Sequence, residues 1–338
     1  MKNLANKDPF KEIADIISEE LKKVDQVIIS SSEKKADLIG DITNHLVLSG
    51  GKRIRPILTI ISAKICGYNS GDRHCKLAAA VELIHTATLL HDDVVDGSHL
   101  RRGKKTANAI WDNKASILVG DYLLSSAFQL MVQDGSLEVL DLLSKTSGTM
   151  ADGEVMQLMN SNDIEISQEK YLQIISSKTA ILFAASSQIG AIITKSHNNK
   201  QEALAIFGNN LGIVFQIMDD VLDYNASENN FGKKIGSDFY EGKITLPIIL
   251  TYKKSNLAEK VRIKEMFASN LIGSGNDKDQ ESFLEIMSLI EKYSATKDSI
   301  AIALHYQNLA YKNLDIFDQS PEKSMLLDIL EYSTSRQN

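Results

Sequence analysis

The chain has 338 residues, a formal net charge of -7 and only four prolines. Its length allows two average domains, or one large domain with a substantial buried core. The negative charge excludes a generic nucleic-acid-binding surface, which needs a broad excess of Lys and Arg. Because proline is the commonest helix breaker, its scarcity favours a mostly helical chain.

The cysteines, the N-terminus and the apolar runs bear on the cellular compartment. Cys66 and Cys75 form no CxxC motif and have no histidine at metal-ligand spacing, and the first residues lack the apolar segment of a signal peptide. No run of eighteen apolar residues occurs, and the best stretch, residues 181–194, contains Ser and Gln and is typical of a buried helix. We therefore expect a soluble, cytoplasmic protein.

Apolar residues recur at helical spacing along most of the chain, and no stretch shows a convincing strand alternation. In chain order, the predicted helices span residues 10–29, 37–48, 56–66, 76–96, 116–132, 137–159, 168–194, 200–223, 246–252, 260–268, 281–293 and 300–317. Polar breaks separate them, but no linker rich in Gly, Ser or Pro marks a domain boundary. The sequence therefore predicts an all-α protein with a single domain over residues 1–338, in which residues 1–30 contribute an N-terminal helix.

Two aspartate clusters share one spacing, DDxxD, near the ends of two predicted helices. The first cluster is Asp92, Asp93 and Asp96, and the second cluster is Asp219, Asp220 and Asp223. In each cluster the outer carboxylates lie one turn apart on one helix face, with the middle carboxylate about 100° round. A single cluster of this kind is as often a solvated helix end as a functional site. Two copies indicate a function, because both lie at helix ends where the helix dipole disfavours anions. Carboxylate oxygens without cysteine ligands suit Mg²⁺, which commonly also binds substrate phosphate.

Basic residues near the aspartates predict a local anion site. GGKRIRP places Lys52, Arg53 and Arg55 in a loop entered by glycines before a helix, where backbone N–H groups and guanidinium groups can hold a phosphate. Arg101 and Arg102 follow the first aspartate cluster in RRG. A short basic loop alone is more often solvated surface, so the interpretation depends on the aspartates nearby.

Several further polar residues accompany the clusters. His85 lies seven residues before Asp92, so it is on nearly the same helix face two turns away. A lone histidine is usually a core or surface residue, so only its neighbours suggest a role. The other candidates are Lys178, Thr179, Gln216, Lys233 and Lys243. The polar stretch 224–242, with glycines flanking its lysines, is a candidate lid.

These motifs together resemble the trans-isoprenyl diphosphate synthases, also called polyprenyl synthetases, and in particular their long-chain bacterial branch. The similarity runs from GGKRIRP through ELIHTATLLHDDVVD, RRGK, GDYLL, GEVMQL, SKTA and FQIMDDVLD to FGKKIGSDFYEGKITLP. Two aspartate-rich motifs with RRG between them are highly specific to the family. The resemblance implies the isoprenoid synthase fold, in which antiparallel helices surround a central apolar cavity.

The resemblance also implies a role for each candidate residue. The six aspartates of the two clusters would bind three Mg²⁺ ions around the diphosphate of an allylic primer such as farnesyl diphosphate. That diphosphate would also be held by Arg101, Lys178, Lys233 and Lys243. Isopentenyl diphosphate would be held by Lys52, Arg55, His85 and Arg102. Thr179 and Gln216 would stand near the cation that forms when the allylic C–O bond ionises.

Product length in the resembled family depends on the residues below the first aspartates. Thr88 and Ala87 lie about 6 to 7.5 Å below Asp92 at 1.5 Å per residue, and neither is an aromatic plug. A small Ala87 leaves a tunnel open toward a deeper floor, for which Phe128 and Met131 are candidates, although it is also compatible with simple close packing of helices. By this analogy we expect an all-trans product of about eight to ten isoprene units, for a quinone such as ubiquinone.

A homodimer is implied by the resemblance alone, since the apolar helices 116–132 and 137–159 suit either an interface or an ordinary core. No nucleic-acid partner is expected, and the product, unlike the protein, is membrane-seeking.

Four alternatives remain at the level of sequence. A metal-dependent phosphohydrolase would use the His91–Asp92 pair with His45 or His85, but leaves RRG and the second cluster without a role. A terpene cyclase usually carries an Asn/Ser/Glu pattern in place of the second DDxxD. A non-catalytic subunit of a heteromeric synthase has often lost one cluster, and both are complete here. A shorter-chain synthase, making farnesyl or geranylgeranyl diphosphate, would resemble its family in carrying aromatic plugs below the first aspartates or an insertion within the first motif, and this sequence has neither.

Overall fold

The computed structural model describes residues 8–32, 37–48, 51–101, 103–161, 163–225, 236–268 and 277–335. Within these ranges the chain is helical almost throughout, which confirms the predicted all-α class. In chain order the elements are α1 (Pro9–Ile16), α2 (Ser18–Ser32), α3 (Asp37–Leu48), α4 (Ile54–Ile65), α5 (Arg73–Val95), β1 (Leu100–Arg101), β2 (Lys104–Lys105), α6 (Ala107–Ile110), α7 (Asn113–Asp134), α8 (Leu137–Met159), α9 (Gln168–Ile175), a π-helical turn (Ser176–Ala180), α10 (Ile181–Ile193), α11 (Asn198–Asn225), α12 (Ser237–Tyr240), α13 (Leu246–Lys254), α14 (Leu257–Ala268), α15 (Asp277–Lys292), α16 (Ala295–Asn313) and α17 (Pro321–Ser335).

The chain divides into two compact units. The first unit comprises Met1–Gly148, Leu182–Asn209 and Ala310–Tyr332, and the second comprises Thr149–Ile181, Asn210–Leu309 and Ser333–Asn338. Each unit draws on separated parts of the sequence, so neither corresponds to one continuous stretch. The single domain over residues 1–338 stays a prediction.

Helix α5 is the central element of the first unit. It packs against α2, α4 and α7. Residues 77–81, the run LAAAV, are completely buried, so the helix is apolar on every side rather than on one stripe. A helix that is apolar all round is stable only when it is surrounded by other helices. This burial fixes the end of α5, where the first aspartate cluster lies.

Glycines allow two close helix contacts in the first unit. A Cβ atom on Gly120 of α7 would lie 2.3 Å from Nε2 of His91 on α5, and one on Gly190 of α10 would lie 2.3 Å from the backbone nitrogen of Ala63 on α4. Real Cβ atoms do not approach backbone atoms this closely. The absence of a side chain at Gly190 therefore sets how near α10 approaches α4.

Gly190→Ala should destabilise the protein by about 1 to 3 kcal/mol, because the added methyl group forces two packed helices apart. Gly148 on α8 is the matched control, since it is helical, exposed and has nothing within 4 Å of its Cβ position. Gly148→Ala should stabilise the protein by about 0.4 to 1 kcal/mol, because alanine restricts the unfolded chain. Urea unfolding of both variants measures the difference, and equal stabilities would contradict the close contact.

The second unit has its own apolar core. Its fully buried residues include Ile217 and Val221 of α11, Leu246 and Ile248 of α13, and Phe239 of α12. The ring of Phe239 meets Phe267 edge to face at 5.5 Å, and lies 5.6 Å from the ring of Phe283. Aromatic pairs at this spacing add to the stability that burial provides. This core anchors the face of α11 opposite the second aspartate cluster.

The structure departs from the predicted elements in several places, among them the short helices α6 and α12, which were not predicted. The predicted helix 10–29 is interrupted at Ile17, and the predicted helix 168–194 contains the π-helical turn. A two-stranded hairpin, with Leu100 opposite Lys105 and Arg101 opposite Lys104, occurs where no strand was predicted. Strands of two residues are too short to show alternation. Helix α17 was also missed, although Pro321 at its first position is a typical helix start.

Helix α7 is long and apolar enough to cross a membrane by length and composition alone, and it is the one such helix in the described part of the chain. In the structure 44% of the apolar window is buried, and α7 packs along α5. Core helices pass the same test of length and composition, so the finding is weak support for a membrane span.

Candidate active site

The first aspartate cluster closes the C-terminal end of α5. Asp92 and Asp93 lie in its last turn, and Asp96 caps the helix with its backbone N–H bonded to the carbonyl of Asp92 at 2.8 Å. Asp93 is 2% exposed, whereas Asp92 and Asp96 are partly exposed. The middle carboxylate therefore points into the protein, and the outer two are closer to solvent.

Arg101 neutralises the buried member of this cluster. Its Nε and Nη2 donate to Oδ1 of Asp93 at 3.0 and 2.8 Å. A carboxylate that is almost fully buried is costly unless it is paired in this way. The hairpin positions the arginine, because Arg101 lies in β1 and Gly103, with φ of 74°, makes the turn into β2. Arg102 lies outside the described residues.

Asn108 on α6 completes the support of this region. Its Nδ2 donates to the backbone carbonyls of Asp93, at 3.1 Å, and Ser98, at 3.0 Å. The end of α5 and the segment after it are thus tied to α6. No motif pointed to Asn108, since asparagine after a turn is ordinary.

The second aspartate cluster lies in the last two turns of α11, in the second unit. Asp219 is exposed, Asp220 is 3% exposed and Asp223 is partly exposed. Asp223 binds the start of α12: its Oδ1 accepts from the backbone N–H and hydroxyl of Ser237 at 3.2 and 2.8 Å, and its Oδ2 accepts from the N–H of Asp238 at 2.9 Å. The third aspartate therefore caps the next helix.

Asp220 is held by two neutral donors. The hydroxyl of Tyr171 donates to its Oδ2 at 2.6 Å, and Nε2 of Gln216 donates to its Oδ1 at 2.9 Å. Burial, with a smaller contribution from nearby Asp219, raises the pKa of Asp220 to about 7, although the two hydrogen bonds act to lower it. Burial also raises the pKa of Tyr171 well above its usual value. Tyr171 was not predicted, because one tyrosine on an apolar helix face resembles core.

Tyr171→Phe should lower the free energy of unfolding by about 1 to 3 kcal/mol, because Oδ2 of buried Asp220 then loses its hydroxyl partner. Chemical denaturation measures the loss. Tyr252→Phe is the matched control: its hydroxyl donates to Glu165 at 3.2 Å in an exposed pair. A loss no greater for Tyr171→Phe than for Tyr252→Phe would refute the buried bond.

Gln216 connects Asp220 to the π-helical turn. Thr179 Oγ1 donates to Oε1 of Gln216 at 3.1 Å, so hydroxyl, amide and carboxylate form one chain of hydrogen bonds. The structure thus brings together three residues that the sequence indicated separately. The amide has a fixed orientation, because its nitrogen faces the carboxylate and its oxygen accepts from the hydroxyl.

Lys178, on the same turn, pairs with Glu154 of α8. Its Nζ lies 2.7 Å from Oε1 and 2.9 Å from Oε2 of that residue. A Cβ atom on Gly153 would lie 2.6 Å from the backbone nitrogen of Lys178, so glycine permits this close approach. Glu154 was not predicted as a site residue, although it belongs to the GEVMQL motif.

The basic residues of GGKRIRP contact different parts of the first unit. Arg53, in the left-handed region at φ of 49°, pairs with Glu82 at 2.7 Å and Asp25 at 3.2 Å. The expectation that Arg53 holds a phosphate stays a prediction. The guanidinium of Arg55 lies 4.6 Å from the ring centre of Phe183.

Lys52 of the same motif contacts the C-terminal part of the first unit. Its Nζ lies 3.3 Å from the hydroxyl of Tyr332. His85 lies partly buried on α5, where its carbonyl accepts from the hydroxyl of Thr88 at 2.8 Å.

The remaining predicted residues divide into described and undescribed ones. Lys243 follows α12, and its Nζ lies 2.8 Å from Oε2 of Glu241. Lys233 lies outside the described residues, as does most of the predicted lid 224–242. Ala87 on α5 is 1% exposed and Met131 on α7 is completely buried. Phe128 on α7 is partly buried.

The aspartates suit a hard divalent cation, although across the described ranges no three Asp, Glu, His or Cys side chains already converge on one point. The more exposed members of the clusters, Asp92, Asp96 and Asp219, offer only carboxylate oxygens. Mg²⁺ usually binds one or two carboxylates and completes its shell with water and substrate phosphate. The residues therefore fit a metal that binds together with a diphosphate.

Comparisons with known proteins identify relatives over most of the chain. The Polyprenyl synthetase family model matches residues 36–287. Octaprenyl diphosphate synthase of Escherichia coli (strain K12) is 44% identical over 240 residues, which are 71% of this chain and 74% of that protein. Octaprenyl diphosphate synthase of Haemophilus influenzae is 37% identical over 325 residues, 96% of each chain.

A solved structure agrees with these relatives. The polyprenyl synthase from Caulobacter crescentus CB15, complexed with calcium and isoprenyl diphosphate, is 38% identical and superposes with a TM-score of 0.90 over 100% of both chains. The family match at residues 36–287 contains both aspartate clusters, the RRG segment and GGKRIRP. The chain belongs to the polyprenyl synthetase family and is a trans-prenyltransferase.

Proposed function

We propose that this enzyme adds isopentenyl diphosphate successively to an allylic diphosphate, farnesyl diphosphate being the expected primer. The product is a long-chain all-trans polyprenyl diphosphate of about eight to ten isoprene units, by analogy with the long-chain relatives. Such a product supplies the side chain of a quinone such as ubiquinone.

The observation that carries the proposal is the shared design of the two aspartate clusters. In both, the middle aspartate is buried and hydrogen-bonded to protein donors, Asp93 to Arg101 and Asp220 to Tyr171 and Gln216. The outer carboxylates of the first cluster and Asp219 of the second are more exposed. Hydrogen bonds to the middle aspartate fix the orientation of the helix end. The outer carboxylates, on another side of the helix, would then be available to a ligand.

The metal requirement follows from the leaving group. Three Mg²⁺ ions, bound by Asp92, Asp93, Asp96, Asp219, Asp220 and Asp223, would stabilise negative charge on the departing diphosphate. Lys178, Arg101, Lys233 and Lys243 would hold the same diphosphate. Because these cations act most strongly when the C–O bond breaks, they lower the barrier rather than merely binding the substrate.

The protein must then direct the allylic cation to the second substrate. Lys52, Arg55, His85 and Arg102 would hold isopentenyl diphosphate so that its double bond attacks the cationic carbon. The new C–C bond leaves a cation that loses a proton, with the released diphosphate as acceptor. Thr179 and Gln216 would place oxygen atoms near the first cation, and an apolar surrounding excludes water, which would quench it.

Product length is proposed to depend on Ala87. Ala87 is a small, buried residue of α5, and an aromatic ring in its place would block a chain that passes this position. The growing chain would pass Ala87 and Thr88 and end against Phe128 or Met131 on α7, which packs along α5. This arrangement favours long products.

We also propose a cytoplasmic homodimer. Helix α7 exposes Ile117, Leu118 and Val132 to solvent in the single chain, with 42%, 67% and 65% of each residue accessible. The adjacent exposed pair Ile117 and Leu118 supports a surface that a partner covers. A second copy of the chain, in a two-fold arrangement, is the partner that the family favours.

One assay tests the function. The purified protein is incubated with farnesyl diphosphate, labelled isopentenyl diphosphate and Mg²⁺, and the products are dephosphorylated and sized. Long polyprenols that appear with one protein component and disappear with a chelator would support the proposal. Release of phosphate without C–C bond formation would refute it.

A further inference from the structure

The cations proposed to bind diphosphate are held in two different ways. Arg101 pairs with Asp93, Lys178 with Glu154 and Lys243 with Glu241, so the cations proposed for the allylic diphosphate contact carboxylates. Lys52 and Arg55, proposed for isopentenyl diphosphate, lie against aromatic rings.

The surroundings of Lys52 come from both ends of the chain. Its Nζ lies 4.5 Å from the ring centre of Tyr332 on α17 and 5.2 Å from that of Phe10 on α1. The Tyr332 hydroxyl lies 3.3 Å from the same nitrogen. The two rings meet edge to face at 5.6 Å with an interplanar angle of 86°, so each fixes the other. We call Phe10 and Tyr332 the terminal aromatic pair.

Aromatic rings hold an ammonium group without using its hydrogen-bond donors. The attraction is between the positive charge and the electron-rich ring face, and it is worth about 0.5 to 2 kcal/mol depending on exposure. An ammonium group has three N–H donors. In Lys52 one of these donors binds the Tyr332 hydroxyl at 3.3 Å, and the two rings hold the charged group in position.

Arg53 keeps the neighbouring backbone in place. It adopts φ of 49° and pairs with Asp25 of α2 and Glu82 of α5, whereas Lys52 contacts α1 and α17. The Arg53 side chain is 19% exposed and the Glu82 side chain 10% exposed, so this pair is largely removed from water. The loop is thus clamped next to Lys52, and the terminal aromatic pair lies against its ammonium group.

We propose that Phe10 and Tyr332 are positioning residues that set the affinity for isopentenyl diphosphate through Lys52. The inference rests on the proposed function, which assigns Lys52 to that substrate. It gives α1 and α17, which carry none of the family motifs, a part in substrate selection. Loss of the rings lets the ammonium group move, so binding of isopentenyl diphosphate weakens while binding of the allylic primer does not.

The test compares Tyr332→Leu, Tyr332→Phe and Phe10→Leu. Tyr332→Leu should raise KM for isopentenyl diphosphate about 3- to 10-fold and leave KM for farnesyl diphosphate unchanged, because the ring is lost. Tyr332→Phe keeps the ring and should restore most of the affinity. Phe10→Leu should give an intermediate rise. Calorimetric titration with isopentenyl diphosphate alone gives the same comparison without turnover.

Tyr311→Leu is the matched control for packing of α17. The Tyr311 hydroxyl donates to Glu331 at 3.0 Å, next to Tyr332 in sequence, and Tyr311 is not among the residues that hold Lys52. Tyr311→Leu should leave KM for isopentenyl diphosphate and KM for farnesyl diphosphate at their wild-type values. An equal rise in both KM values for Tyr332→Leu, or failure of Tyr332→Phe to restore affinity, would overturn the proposal.

Lys52→Met separates this inference from the proposed function. If Lys52→Met raises KM for isopentenyl diphosphate and Tyr332→Leu does not, the terminal aromatic pair has no positioning role and the inference is wrong. If Lys52→Met has no effect, the assignment of Lys52 to this substrate is wrong, and the inference falls with it. In the double variant Lys52→Met/Tyr332→Leu, the rise should match that of Lys52→Met alone.

Discussion

Asp92→Ala and Asp219→Ala should each lower the rate of isopentenyl incorporation at least about 100-fold while the protein stays folded. Each removes a carboxylate from the more exposed part of its cluster, whereas the buried members Asp93 and Asp220 stay in their hydrogen bonds. Packing is therefore preserved. The lost function is stabilisation of the charge that develops on the diphosphate, so kcat should fall far more than substrate affinity.

Incorporation of radiolabelled isopentenyl diphosphate measures the rate, and circular dichroism with thermal melting checks the fold. Asp141→Ala is a suitable control, because Asp141 is an exposed helical aspartate that pairs with Lys145 at 2.8 Å on the same helix. It should keep wild-type activity. If Asp92→Ala or Asp219→Ala also kept wild-type activity, the assignment of that cluster to the diphosphate would be wrong.

The helices were predictable because periodic apolar residues directly determine which face of a helix is buried. Helices α5 and α11 are long and strongly apolar, and both were predicted with their aspartates at the C-terminal end. The hairpin of β1 and β2 was not predicted, since strands of two residues are too short to show an alternating pattern. The π-helical turn at Ser176–Ala180 was also missed, because one extra residue per turn hardly changes the pattern over a short stretch.

The sequence indicated candidate site residues by their type, but it did not indicate which residues they contact. The sequence indicated Lys178, Thr179 and Gln216, yet their contacts with Glu154 and Asp220 depend on how α8, α9 and α11 pack. Lys52, Arg53 and Arg55 look alike in one basic loop, and the structure divides them: Arg53 pairs with Asp25 and Glu82, while the others lie against aromatic rings. Local sequence contains the charge of a residue, whereas distant elements determine its neighbours.

Ala87 offers the most direct test of the proposed control of product length. It lies on α5 about 7.5 Å along the helix from Asp92 and is 1% exposed. Helix α5 packs along α7, which carries Phe128 and Met131. If the growing chain passes this position, the size of its side chain limits how many units can be added before the chain is blocked.

Ala87→Phe should therefore change the main product from a long chain to about three or four isoprene units, because a ring fills the space roughly one unit below the aspartates. The added bulk will also cost about 1 to 3 kcal/mol of stability. Product length, unlike rate, does not depend on the fraction of folded enzyme, so chromatography of the dephosphorylated products separates the two effects. Ala87→Leu, with a smaller side chain, should give intermediate lengths. Long products from Ala87→Phe would show that the chain grows elsewhere, since no chain of eight units can pass a phenyl ring that fills its path.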